Sequence, residues 1–261
     1  MFPLAHNYMT TRLLTAAIPP FNRAFSADEK RLMLVGSILP DFVTRMGLDR
    51  DFWHSAGEAF YHFTDTSLPE AVPLALGVWL HGIDGCGFDT YADEVWQGKM
   101  GWCFLKCLPY IPDAVLACNL PRQFALWKAH NLVEMAAELE ISARFPDTGH
   151  TLSAALHDEQ LMQIIFAAFG KFADANPEKI RPVLQTMEQR FSILAVSAED
   201  CAAKYLHQLQ FRHQITGGSL SALASLLKQI RADLKTEMWA WFDETESLII
   251  AEFNKRFTPQ S

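Results

Sequence analysis

Signals of β-structure and of disulfide bonding are scarce in this sequence. No run of alternating β-branched residues bounded by hairpin turns occurs in its 261 residues, which argues against a sheet protein. The five cysteines are odd in number and lack the close spacing of a secreted disulfide framework. Cys103 and Cys107 lie four residues apart, but no second pair completes a thiolate metal site. We therefore predict buried, reduced cysteines.

Basic clusters and long apolar runs are also missing. The formal net charge is −8, which argues against a long nucleic acid or an anionic membrane as the main partner. A small phosphoester, whose charge bound metal ions could neutralise, stays compatible with that charge. No stretch approaches about 18 uncharged apolar residues, so no transmembrane helix is expected. The start of the chain, MFPLAHNYMTTRLL, does not resemble a signal peptide, and a cytoplasmic protein is the simplest prediction.

Helical patterns account for most of the chain. Half of the residues are hydrophobic and 12% are aromatic, enough for a substantial core. We predict one all-α domain over residues 1–261, a multi-helix bundle in which residues 1–145 carry a metal site and residues 146–261 add supporting helices. The helices are predicted over residues 4–17, 30–39, 51–63, 69–96, 124–144, 152–174, 177–196, 198–212 and, after Gly217-Gly218-Ser219, up to about 257.

The most informative motif is His130-Asn-Leu-Val-Glu134, inside the predicted helix 124–144. Residues four apart lie on one helix face, so the two side chains can reach one ion. An imidazole nitrogen and a carboxylate oxygen are common ligands of zinc and similar divalent metals. The motif therefore predicts a metal ligand pair.

A second motif of the same kind lies upstream, His81-Gly-Ile-Asp84-Gly-Cys-Gly-Phe-Asp89. The predicted helix 69–96 contains Gly82, Gly85 and Gly87, which are poor helix formers and indicate close packing or a kink near His81. Within it, positions 81, 85, 89 and 93 share one face, and Asp84 at i+3 from His81 can share it too. The spacing does not choose between Asp84 and Asp89 as the ligand. Asp93 extends the same stripe.

Further ionisable residues of the first half lie within or beside apolar segments. They include three histidines and one carboxylate, namely His6, His54, His62 and Asp41. Burying so many such groups without partners would be costly, and one or two cations would resolve that cost. Alone, Asp41 after Pro40 is interpreted as a solvated turn residue. Glu138 is interpreted as part of a solvated helix face, with a supporting carboxylate near the metal as the alternative.

The ordered set of His6, Gly-Ser-Ile-Leu-Pro-Asp41, a following histidine, Leu80-His81 with an aspartate, and His130-x-x-x-Glu134 resembles the zinc-dependent phospholipase C family. That family is related to the single-strand-specific nucleases. The resemblance spans roughly residues 1–145. It implies an all-α fold with two or three zinc ions that hydrolyses phosphate esters with a metal-activated water. The implied substrate is a small phosphoester or a phospholipid.

The resemblance also implies roles for individual residues. It assigns one metal to Asp41, His54 or His62, His81 and Asp84, and a second metal to His130 and Glu134. His6 would belong to a third metal, and Asp89 stands where the family usually has a histidine. By the same resemblance, Asp41 would orient or deprotonate the attacking water.

Two other interpretations are kept beside this one. The first is a helical protein that binds a ligand or partner without turnover. The second is an HD-type phosphohydrolase built on His157-Asp158, although that pair is better explained as a helix start. Trp239, Trp241 and Phe242 in the last helix are interpreted as core residues, and a homo-oligomer is compatible with the sequence.

Overall fold

The computed structural model describes residues 3–191 and 196–258, and over these ranges it contains helices and loops but no strand. The predicted all-α bundle is therefore confirmed. The α-helices are α1 (Pro3–Leu13), α2 (Ala27–Gly36), α3 (Arg50–Ser55), α4 (Gly57–Ser67), α5 (Val72–His81), α6 (Trp102–Cys107), α7 (Ile111–Cys118), α8 (Ala125–Arg144), α9 (Asp147–Leu156), α10 (Glu159–Ala173), α11 (Pro177–Phe191), α12 (Ala198–His213) and α13 (Leu220–Phe257).

Helix starts follow local sequence signals. Ser26 and Glu29 form a reciprocal capping box at the start of α2, in which each side chain accepts from the other residue's backbone N–H. Ser219 accepts from the backbone N–H of Ala222 and caps α13. These caps satisfy N–H groups that a helix leaves without internal partners. The expected start of the last helix after Gly217-Gly218-Ser219 is thus confirmed.

The predicted helix over residues 69–96 is interrupted at His81, near the expected kink, and its extension to residue 96 is wrong. Helix α5 ends at His81, and the chain continues as a glycine-rich loop before a π-helical turn at Thr90–Glu94. Gly85 adopts φ +92°, which disfavours other residues, and a Cβ on Gly87 would lie 2.0 Å from the carbonyl oxygen of Gly82. The glycines therefore end the helix and allow the loop to fold back on His81.

Two further predicted helices are interrupted. Residues 51–63 fall in α3 and α4, and residues 152–174 fall in α9 and α10. The predicted helix 177–196 corresponds to α11, and its residues 192–195 lie outside the described part of the chain.

Helices α2 and α5 cross at two glycines. A Cβ on Gly36 would lie 2.2 Å from the carbonyl oxygen of Leu74, and one on Gly77 would lie 2.1 Å from that of Met33. No larger residue fits this backbone approach without a shift of the helices. The close crossing brings the end of α2 next to the end of α5, where His81 lies.

Helix α8 runs through the middle of the bundle and packs against α1, α6, α7 and α13. Trp241 on α13 stacks on Trp102 of α6, with ring centroids 4.5 Å apart, and Phe242 is fully buried. The expected core role of these two α13 aromatics is confirmed. Cys103 and Cys107 are free thiols buried in the same core, also as predicted.

Across the described residues, we find no helix with the length and apolar character needed to span a bilayer.

Candidate metal centre

His81, the last residue of α5, is a fully buried imidazole with polar groups at both ring nitrogens. Its Nδ1 lies 2.7 Å from the carbonyl oxygen of Ser37, beyond the end of α2. Its Nε2 lies 3.1 Å from Nε2 of His54 and 3.2 Å from Oδ2 of Asp89. The glycine crossing of α2 and α5 thus orients the ring, and the ring points at two other candidate ligands.

His54 and Asp41 complete one side of this site. Nδ1 of His54 contacts the carbonyl oxygen of Arg50 one turn earlier, at 2.8 Å. Its Nε2 lies 3.6 Å from Oδ1 of Asp41 and 3.6 Å from Oδ2 of Asp89. Asp41 is buried, so its interpretation as a solvated turn residue is wrong. Asp41 is the last residue of the short 3₁₀ segment Leu39–Asp41, which places its carboxylate inside the bundle.

His6 approaches from α1. Its ring stacks on that of His81, with centroids 4.0 Å apart, and its Nε2 lies 3.3 Å from Oδ1 of Asp89. Phe88 packs edge-on against the His6 ring at 5.2 Å, which fixes the loop beside α1. Asp89 therefore uses both carboxylate oxygens and stands between His6 and the other histidines. We call His6, Asp41, His54, His81 and Asp89 the His-rich group.

A second set of ligand atoms lies on α8 and the π-helical turn. One ligand atom each from Asp93, His130 and Glu134 falls within 4.8 Å of the others, and we call these residues the acidic group. Phe104 stacks on the His130 ring at 4.1 Å. Nδ2 of Asn131 donates to Oε2 of Glu134 at 3.1 Å. The predicted pairing of His130 with Glu134 on one helix face is present.

The two groups border one cavity. Its volume is about 20 Å³, and His6, Asp89 and Glu134 are among the residues that line it. A space of about 10–15 Å³ suffices for one water molecule. The cavity therefore has room for a water or an ion between the two groups.

In the His-rich group, the carboxylates and the imidazoles shift each other's pKa. Burial opposes the charged form of His81, but the Asp89 carboxylate raises the pKa of the imidazole. Burial likewise opposes ionisation of Asp89, yet His81 and His6 hold the pKa of its carboxyl well below the ordinary value. Burial, with the neighbouring His81, lowers the pKa of His6 to about 4. His81 thus provides partial compensation for the Asp89 carboxylate, while Arg50 lies beside Asp41.

The acidic group has no such internal compensation. Burial raises the pKa of Asp93 well above its ordinary value, and Glu134 and Asp89 raise it further. Burial also raises the pKa of Glu134, with Asp89 adding to the shift. Burial lowers the pKa of His130 to about 3, so its imidazole is neutral near pH 7. Two buried carboxyl groups therefore face a neutral ring.

The donor atoms fit a divalent cation. Two buried side-chain atoms of these groups, His6 Nδ1 and Asp93 Oδ1, have no hydrogen-bond partner among the described residues. Leaving such atoms unpaired is costly, and coordination of a cation would remove that cost. Imidazole and carboxylate together suit zinc and other first-row divalent metals.

Two predicted site residues lie elsewhere. His62 is on the surface of α4, with 65% of its side chain exposed, and is 3.9 Å from Glu58. Asp84 faces away from both groups: its Oδ1 accepts from the backbone N–H of Cys86, and Arg256 donates to its carbonyl oxygen. The structure thus brings His54 rather than His62, and Asp89 rather than Asp84, to the His-rich group.

The structure gives Asp93 and Glu138 positions that the sequence does not predict. The stripe over positions 81–93 included Asp93, but nothing in the sequence linked it to His130. Glu138 is buried and accepts from the backbone N–H groups of Leu4 and Ala5, at 3.1 and 2.7 Å. Its interpretation as part of a solvated face is therefore wrong. It caps the start of α1, the helix that carries His6.

The His157-Asp158 pair has local roles. Nδ1 of His157 contacts the carbonyl oxygen of Ser153 at 2.9 Å, and Asp158 caps α10 by accepting from two backbone N–H groups. The expectation of a helix start is confirmed.

No protein-family model, curated protein or solved structure matches this chain. The assignment of the centre therefore depends on its own geometry and chemistry.

Proposed function

We propose that this protein is a divalent-metal-dependent hydrolase of phosphoesters, similar to the zinc-dependent phospholipase C family, with zinc as the expected metal. The observation that carries the proposal is the place of Asp89. Its two oxygens lie 3.3 Å from His6 and 3.2 Å from His81, and it lines a cavity shared with Glu134 of the acidic group. Such a carboxylate can serve two neighbouring cations.

The two groups offer ligands for two cation sites and part of a third. Asp41, His54, His81 and Asp89 would hold one cation, and Asp93, His130 and Glu134 would hold another, while His6 with Asp89 offers a third position. When bound, paired cations lower the pKa of a water molecule and neutralise charge on a phosphoryl group.

Asp41 is better suited to orienting a water molecule than to removing a proton from it. Burial opposes its ionisation, yet His54 and His81 hold the pKa of its carboxyl well below the ordinary value. A carboxylate with so low a pKa is a weak base, whereas it accepts hydrogen bonds well. Nη2 of Arg50 lies 3.6 Å from the same carboxylate, and this guanidinium is 41% exposed. Arg50 can therefore offer positive charge to an anionic group at this edge.

A second candidate is a helical cation-binding protein without turnover. The specific observation in its favour is the size of the cavity, about 20 Å³, which holds a water or an ion but not a phosphoester. Hydrolysis therefore requires substrate to reach the cations from outside this cavity.

The test is hydrolysis of bis-p-nitrophenyl phosphate and p-nitrophenyl phosphate by the full chain reconstituted with zinc, compared with the chelated protein. His54→Ala removes a member of the His-rich group, and His62→Ala is a matched control on the neighbouring surface. We expect zinc-dependent hydrolysis by the wild type and His62→Ala and its loss in His54→Ala.

Zinc binding without hydrolysis of either ester would favour the binding protein. Absence of zinc binding would remove both candidates. Equal activity in His54→Ala and His62→Ala would place the reaction outside the His-rich group.

A further inference from the structure

Asn131 contacts both α8 residues of the acidic group. Its Nδ2 lies 3.0 Å from Nε2 of His130 and donates to Oε2 of Glu134 at 3.1 Å. The amide is buried, so neither contact is shared with bulk water. The two N–H groups of this amide can donate one to each side chain, so the amide restricts the rotation of the Glu134 carboxylate and fixes its distance from the His130 ring.

Tyr205 of α12 holds that amide in place. Its hydroxyl oxygen lies 3.2 Å from Oδ1 of Asn131 and 2.8 Å from the carbonyl oxygen of Lys128, and its single proton is shared between these two acceptors. The tyrosine is buried and lies 74 residues further along the chain. Its hydroxyl group therefore ties the orientation of Asn131 to a helix that contributes no residue to either group.

We propose that Asn131 and Tyr205 are positioning residues that set the affinity of the acidic group for its cation. The inference rests on the proposed metal-binding function. Partners that orient a ligand from behind restrict its rotation before the cation binds, and their loss weakens metal affinity by about 10- to 100-fold. The His-rich group has separate partners, such as the Ser37 carbonyl oxygen on His81, and stays unaffected.

The test is zinc affinity, measured by competition with a chromophoric chelator on the full chain. Tyr205→Phe removes only the hydroxyl group, and Asn131→Leu removes the amide at similar volume. Tyr61→Phe is the control, because Tyr61 lies on α4 and packs against Trp79. We expect one zinc equivalent to bind about 10- to 100-fold more weakly in Asn131→Leu, with a smaller change of the same kind in Tyr205→Phe.

The remaining zinc equivalents should keep wild-type affinity in both variants, and metal-free Tyr205→Phe should still unfold in a single cooperative transition. Wild-type affinity at every equivalent in both variants would overturn the inference, and so would an equal loss at all equivalents, which indicates general disruption. A wild type that binds no zinc would overturn the proposed function itself, and the inference with it.

Discussion

In the His-rich group Asp89 lies 3.2 Å from His81, whose pKa is raised, whereas the acidic group places Asp93 and Glu134 beside an uncharged His130. In the first arrangement each carboxylate has a basic neighbour, His81 beside Asp89 and Arg50 at 3.6 Å from Asp41. The second requires either a cation or a proton on a carboxyl group. The two groups border one cavity, so they differ in charge balance rather than in location.

This difference predicts opposite effects of removing a carboxylate. In the metal-free protein, loss of Asp89 breaks a compensated pair, while loss of the Glu134 charge relieves repulsion. With cations bound, both losses remove a ligand. Stability measured with and without metal therefore separates the two groups.

The largest effect is expected for Asp89→Asn. The substitution removes the carboxylate that contacts both His6 and His81, and breaking a buried ion pair costs about 3–5 kcal/mol. We expect the free energy of unfolding of the metal-free protein, measured by urea denaturation, to fall by about 3 kcal/mol. In a separate zinc titration of the same variant, we expect the His-rich group to lose its zinc. Asp84→Asn is the matched control, since that side chain lies outside both groups and its amide oxygen can still accept from Cys86. Similar losses in both variants would contradict the central place of Asp89.

Glu138→Ala measures how much a buried carboxyl group contributes to the free energy of unfolding when its role is structural. The substitution leaves the backbone N–H groups of Leu4 and Ala5 without their acceptor, which costs about 1–3 kcal/mol. We expect urea denaturation to show a loss of about 2 kcal/mol. Unlike at Asp89, the loss should be the same with and without zinc. A loss that depends on zinc would place Glu138 among the metal ligands.

Glu134→Gln is expected to give the smallest change in stability, and this change is a gain rather than a loss. The folded-state pKa of Glu134 lies above its ordinary value of 4.5, so the folded metal-free protein binds a proton more tightly than the unfolded chain. Its contribution to stability is therefore lost as pH rises from about 4.5 through the folded-state pKa. We expect metal-free Glu134→Gln to be more stable than the wild type at pH 8, and the difference to vanish near pH 4.

Denaturation of both metal-free proteins over pH 4–8 checks this expectation. A less stable Glu134→Gln at pH 8 would show that the acidic group compensates its charge after all.

The two groups also differ in how far the sequence predicts them. His130 and Glu134 lie four residues apart in one helix, so local spacing alone places them together. A helical sequence pattern cannot predict the path of the glycine-rich loop after His81. That path decides that Asp89 rather than Asp84 joins the His-rich group, and that Asp93 lies beside His130.

Long-range packing decides the other assignments. His54 points inward and His62 outward because α3 and α4 are separate helices, and the sequence shows one aromatic-rich segment there. Glu138 continues a stripe that looks solvated, but it is covered by α1 from the far end of the chain. The all-α class and several helix starts need only local signals, such as the Ser26 capping box.

Zinc content of the reconstituted wild type and of His130→Ala, measured by elemental analysis after removal of free metal, tests the central claim most directly. The proposed centre predicts at least two zinc equivalents in the wild type and the loss of one in His130→Ala, with the His-rich group still occupied. Full zinc content in His130→Ala, or no zinc in the wild type, would contradict it.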